Sequence, residues 1–211
     1  MQRIYASMAI NAAIVCLTLY TCWWTYNIFQ RGKSTQQKKE MFRFYTYNSN
    51  ILSAAVSLVI LIYELVSLST GAGSMPEWAV LLRLVATTSV AVTFLTVLVF
   101  LAPAMGFREM YTKDAFYMHL VGPILAVVQF VFVENSFGVG FPMSLLGAST
   151  VVIYAVIYLY KVVITGEGKG GWPDFYFFNQ NGRWPVSFTV MIAAGALISL
   201  GLTWAHNSFI A

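Results

Sequence analysis

The chain has 211 residues, 59% of them hydrophobic and 9% charged, with a mean hydropathy of +0.72 and a formal net charge of +4. That composition excludes an ordinary soluble domain and leaves the bilayer as the solvent. The small basic excess fits attraction of loop lysines and arginines to anionic lipid, so no nucleic-acid partner is expected.

Six apolar runs follow in chain order, near Ile4–Ile28, Tyr45–Leu68, Val80–Leu101, Phe116–Val133, Pro142–Ile164 and Pro185–Thr203. Each approaches the roughly 20 residues that a helix needs to cross about 30 Å of hydrocarbon. The expected fold is all-α: a polytopic integral membrane protein with one six-helix transmembrane domain spanning residues 1–211. No connection is long enough for a second domain, and the two halves show no convincing repeat.

Orientation is read from Lys and Arg in the short connections. The first connection carries Arg31, Lys33, Lys38, Lys39 and Arg43, the third Arg108 and Lys113, and the fifth Lys161, Lys169 and Arg183. Only Arg3 and Arg83 fall on the other side. Loops 31–43, 105–114 and 161–183 are therefore expected in the cytoplasm and both termini outside it.

Span one ends in an aromatic belt of Trp23, Trp24 and Tyr26 and has no clear small-residue cleavage site after it, which favours a mature helix over a signal peptide. Cys16 and Cys22 lie too far apart on that helix to bridge and are expected to be buried thiols. In span two, Thr46, Asn50, Ser53 and Ser57 fall at offsets 0, 4, 7 and 11, on one helical face, with Asn48 two residues off it. Such a stripe either bonds neighbouring helices together or lines a cavity. Glu64, at the outer end of the same span, is expected to pair with Arg83 at the start of span three. Ser89, Thr93 and Thr96 form a second polar stripe.

Span four carries His119, with Pro123 four residues later. Proline donates no N–H, so in a regular α-helix the His119 carbonyl is left free and the helix bends there. The imidazole is either a packing residue or a general base, since its unperturbed pKa near 6.5 lets it accept a proton at neutral pH. Thr46 and His119 each sit within about one turn of the cytoplasmic end of their spans and so share a membrane depth. If spans two and four are neighbours, a hydroxyl and an imidazole can meet, the minimum for an activated nucleophile. Tyr154 and Tyr158 share a face of span five. The following segment, GEGKGGWPDFYFFNQNGRW, is either a cap over the cytoplasmic mouth or an ordinary loop at the headgroups. Ala193, Ala194, Gly195, Ala196 and Gly201 give span six small surfaces for close packing.

The stretches FYTYNSNIL around Thr46, MHLVGPIL around His119 and WPDFYFF before the last span together resemble the androgen-induced and androgen-dependent TFPI-regulating protein family. The resemblance implies a multi-span membrane hydrolase that cleaves fatty acid esters of hydroxy fatty acids, with Thr46 as nucleophile and His119 as its base. The chain is shorter than animal members, and WPDFYFF departs from their Trp-x-Tyr-Pro-Phe pattern. It looks more like a bacterial relative, placed in the cytoplasmic membrane.

The chemistry so implied is acyl transfer, with membrane lipid or an amphiphilic ester as partner. Asn50, Asn48 or backbone groups are the candidates to donate to the oxyanion. Asp114 or Asp174 would have to orient His119, and neither is well placed in the sequence. No metal or other cofactor is expected, and protein partners are left open. Two other classes compete: a noncatalytic lipid-binding membrane protein and a small-molecule transporter. The sequence shows neither a pair of Gly/Pro-broken helices nor a central charged residue that would favour transport.

Overall fold

A computed structural model describes residues 2–30, 39–71, 75–112, 114–134 and 136–210. Arg31, Lys33, Lys38 and Lys113, on which part of the charge asymmetry rests, lie outside the described residues. The protein is an all-α membrane protein. Among the described residues its long helices are α1 (Gln2–Gln30), α2 (Tyr45–Thr70), α3 (Glu77–Met105), α4 (Tyr117–Val133), α5 (Phe141–Thr165) and α6 (Trp184–Ser208). All but α4 are long and apolar enough to cross a bilayer by length and composition. At 17 residues, α4 reaches about 25 Å.

The helices alternate in direction. One end of the bundle, here the terminal end, gathers Ser7, Glu64, Arg83, Glu134 and His206; the other, the basic end, gathers Arg43, Thr46, His119, Tyr158 and Tyr176. Helix α3 lies at the centre, with Leu84, Val90 and Val80 fully enclosed. Around it the outward faces are apolar, as lipid contact requires: Leu58, Val59, Ile62, Leu65 and Val66 of α2 and Val186, Val190 and Leu197 of α6 are all exposed. Cys16 belongs to this exposed surface and Cys22 is half-exposed, so the thiols are not buried as expected. Their helix turns its polar residues inward instead. Thr18 Oγ1 meets the Tyr117 hydroxyl at 2.8 Å, and Tyr117 donates on to the Ile14 carbonyl at 3.1 Å, which ties α1 to α4.

The serine and threonine stripes bond across helices. Ser49 meets Thr93 at 2.9 Å, and Ser89 meets Thr150 at 2.6 Å. Close approach of α5 to α3 and α6 depends on Gly147: a Cβ there would stand 2.6 Å from Thr88 Oγ1 and 3.0 Å from Ser199 Cβ. In α6, Gly195 does the packing expected of it, with three Val151 atoms at 3.2 Å from where its Cβ would be, whereas Gly201 faces open space.

Candidate functional site at the basic end of the bundle

Thr46 lies in the first turn of α2 and His119 in the first turn of α4, both half-buried. What joins the two helices is a vacancy created by Pro123. Residues Tyr117–Val121 form a π-helical turn, in which the Gly122 N–H reaches back five residues to the Tyr117 carbonyl. In that register Pro123 would serve the Met118 carbonyl rather than that of His119, and having no N–H it leaves Met118 unserved. Asn50 fills the gap from α2: its Nδ2 donates to the Met118 carbonyl at 3.1 Å and to the Thr46 carbonyl at 2.8 Å. The approach is close because residue 122 is glycine; a Cβ there would stand 2.8 Å from Asn50 Oδ1. Spans two and four are thus neighbours, bridged by one amide that touches Thr46 and the residue before His119.

His119 is oriented through a backbone carbonyl rather than through Asp174. Its Nδ1 lies 2.7 Å from the Met110 carbonyl, which can only accept. Nδ1 therefore carries the proton, and in the neutral ring Nε2 carries the lone pair. Tyr111 stands edge-on to the imidazole, with ring centroids 6.4 Å apart. Asp174 is engaged elsewhere: it accepts from the Tyr158 hydroxyl at 3.2 Å and from the N–H groups of Phe178 and Asn179 at 2.8 and 2.7 Å. The Asp114 side chain lies outside the described residues. A backbone carbonyl leaves no trace in a motif, so nothing in the sequence singled out Met110.

Phe44 precedes α2 in extended conformation and has no side chain able to cap it. The first N–H groups of a helix need acceptors, and here the fifth connection brings one. The Tyr176 hydroxyl accepts from the Tyr45 N–H at 3.1 Å, which places it beside Thr46. Burial pushes the Tyr176 phenol up to about 12, so it is neutral at physiological pH. The WPDFYFF segment is held there by tilted and edge-on aromatic contacts, with Phe175 at 4.5 Å from Phe44 and 5.2 Å from Tyr158, ring centre to ring centre. It covers the basic ends of α2 and α5, as a cap would.

Asn48 sits on a different face of α2 from Thr46, donating to the Phe42 carbonyl at 2.9 Å. With Tyr45, Ser49, Leu52, Ser89 and Ile153 it lines a cavity of about 250 Å³ between α2, α3 and α5. Exposed Ile153 and Ile157 flank the cavity, so it opens on the lipid-facing surface.

A second polar cluster lies at the terminal end, and it differs from the expected Glu64–Arg83 pair. Arg83 is fully buried and its Nε bonds Glu134 at 3.1 Å. Its other two nitrogens bond Ser57, at 2.8 Å, and Asn11 Oδ1. Glu64 is reached only through Asn11, which donates to it at 3.1 Å, and it also accepts from Ser7. Gln129 closes the cluster by donating to Ser7 at 2.6 Å. Asn11 of α1 and Glu134, just past α4, bond Arg83 directly, and α2 contributes Ser57 rather than Glu64.

Fold and sites define an α-helical membrane protein with one polar centre at each end. Compared with family models, curated proteins and solved structures, the chain matches none.

Proposed function

We propose that the protein is a membrane-embedded lipid-ester hydrolase, with Thr46 as nucleophile and His119 as general base. The observation that supports this best is the Asn50 bridge, which holds the first turns of α2 and α4 side by side. The fixed Nδ1–H tautomer of His119 adds to it, because it leaves the basic lone pair on Nε2. In this reading Thr46 Oγ1 attacks the ester carbonyl as Nε2 takes its proton, and the C–O bond to the leaving alkoxide breaks as Nε2 returns that proton to the alkoxide oxygen. Water then attacks the acyl-threonine by the same route, releasing the fatty acid and restoring the hydroxyl.

Asn50 has both amide hydrogens on carbonyls, and Asn48 donates to the Phe42 carbonyl. The neutral Tyr176 phenol, beside Thr46, is therefore the donor we assign to the oxyanion. The cavity lined by Asn48, Leu52 and Ile153 would take an acyl chain arriving from the lipid. Fatty acid esters of hydroxy fatty acids fit such a site. The basic end would face the cytoplasm of a bacterial cell.

Fluorophosphonate labelling of purified protein in nanodiscs, with peptide mapping, tests the reading. Label is expected on Thr46, absent in Thr46→Ala, retained in Thr46→Ser and reduced at least tenfold in His119→Ala. Folded protein that takes no label at residue 46 would remove the hydrolase and leave the lipid-facing cavity to a noncatalytic lipid-binding role.

A further inference from the structure

The third connection is a folded arm. Helix α3 closes with a π-helical turn, Val97–Leu101, and after Gly106 the chain enters a four-residue helix, Phe107–Met110. Gly106 makes the bend between the two helices at φ +106° and ψ 130°, a conformation that L side chains avoid. The Met110 and Tyr111 N–H groups reach back to the Gly106 and Phe107 carbonyls at 3.2 and 3.1 Å. The short helix stops at Met110, so the Met110 carbonyl serves no further turn and is left to accept from His119 Nδ1.

A single hydrogen bond lets an imidazole swing about the N–H···O line. Tyr111, the next residue, supplies a second contact: its ring meets the imidazole edge-on, with planes at 90° and centroids 6.4 Å apart. Tyr111 is itself held. Phe107 stacks on it at 6.4 Å, and together with Met110 it packs on Val97, Leu101 and Ala102, all buried. Tyr176 packs on the same three residues. The end of α3 is therefore a common footing for the support of His119 and for the phenol beside Thr46, and it joins them independently of the Asn50 bridge. The Tyr111 hydroxyl has no hydrogen-bond partner among the described residues, so the ring and not the oxygen carries the contact.

We propose that Tyr111 is a positioning residue for His119: its ring fixes the imidazole about the bond to Met110 and keeps Nε2 on the line to the Thr46 hydroxyl. Its part in turnover rests on the hydrolase reading, whereas its hold on the imidazole does not. The hold matters because a misplacement of about 1 Å can cost about a hundredfold in rate.

The test replaces Tyr111 by Leu and by Phe in the full chain in nanodiscs, with folding checked by thermal unfolding. It reads ester turnover and, by nitrogen NMR, the tautomer of the neutral imidazole. The chain has two histidines, so His119→Ala assigns the signals. The parent should show His119 in one Nδ1–H form. In Tyr111→Leu, kcat should fall at least about tenfold with KM within about twofold of the parent, and the Nδ1–H signal should split or broaden as other ring orientations become populated. Tyr111→Phe should keep the parent kcat and the parent signal. Gly106→Ala, which strains the bend that presents Met110, should behave as Tyr111→Leu does. An equal loss of kcat in Tyr111→Phe would move the role to the hydroxyl and overturn the proposal, as would folded Tyr111→Leu protein with an unchanged His119 signal. A parent that turns over no ester, yet shows an Nδ1–H form that Tyr111→Leu loses, would remove the hydrolase and support the positioning contact.

Discussion

The Tyr176 hydroxyl caps the first turn of α2 at Tyr45, one residue from Thr46. Tyr176→Phe keeps the ring in its aromatic cluster and removes only that oxygen. The Tyr45 N–H loses its acceptor, which should lower stability by about 1–3 kcal/mol in a denaturant titration. If the phenol also serves the oxyanion, acyl-ester turnover should fall at least tenfold in the same variant, measured as kcat at saturating substrate. A purely structural role would change stability and leave kcat alone. The tyrosine was visible in the sequence only as part of an aromatic segment that suited a cap, since no spacing rule links residue 176 to the start of a helix 131 residues earlier. Thr46 stood out because it opens a one-sided polar stripe, and His119 because it is the histidine at that end of the spans; the Met110 carbonyl could not stand out at all.

Whole helices were legible because apolar run length is a one-dimensional property, and all six runs appear as helices near their expected bounds. Helix partners were not, because they depend on which small residues meet which polar ones. Gly122 and Gly147 decide two such contacts, and neither drew notice in its run, whereas Gly201, in a stretch of small residues that did, touches nothing. The consequence is a graded series. Gly147→Ala drives a methyl group into Thr88 and Ser199 and should cost several kcal/mol. Gly122→Ala meets Asn50 Oδ1, whose amide cannot turn away without losing the Met118 carbonyl, and should cost about 1–3 kcal/mol while slowing ester turnover. Gly201→Ala should be neutral, or stabilising by up to about 1 kcal/mol, from helix propensity alone. Thermal unfolding of the three variants in one detergent checks the order. Equal losses at residues 122 and 201 would mean that α2 and α4 do not touch where Asn50 bridges them.

For the molecule as a whole, the open element is α4. At about 25 Å it is shorter than the roughly 30 Å hydrocarbon core, a mismatch that local thinning or flanking residues can absorb. If α4 crosses, six spans put both termini on one side, and the positive-inside rule places them outside the cytoplasm. If it does not, five spans put them on opposite sides. Contacts at the terminal end favour crossing: Arg83 of α3 bonds Glu134 just past the end of α4, and His206 of α6 meets the Phe130 carbonyl at 2.7 Å and stacks on its ring at 4.3 Å. At the other end Asn50 of α2 holds Met118, so the two ends of α4 are pinned to opposite ends of the bundle. Alkaline phosphatase, which is active only outside the cytoplasm, should therefore be active when fused after residue 210 and inactive when fused after Gly170. A fluorescent protein that matures only in the cytoplasm should give the reverse pattern at the same two sites. Phosphatase activity after Gly170 would invert the molecule and move the Thr46 centre to the outer leaflet.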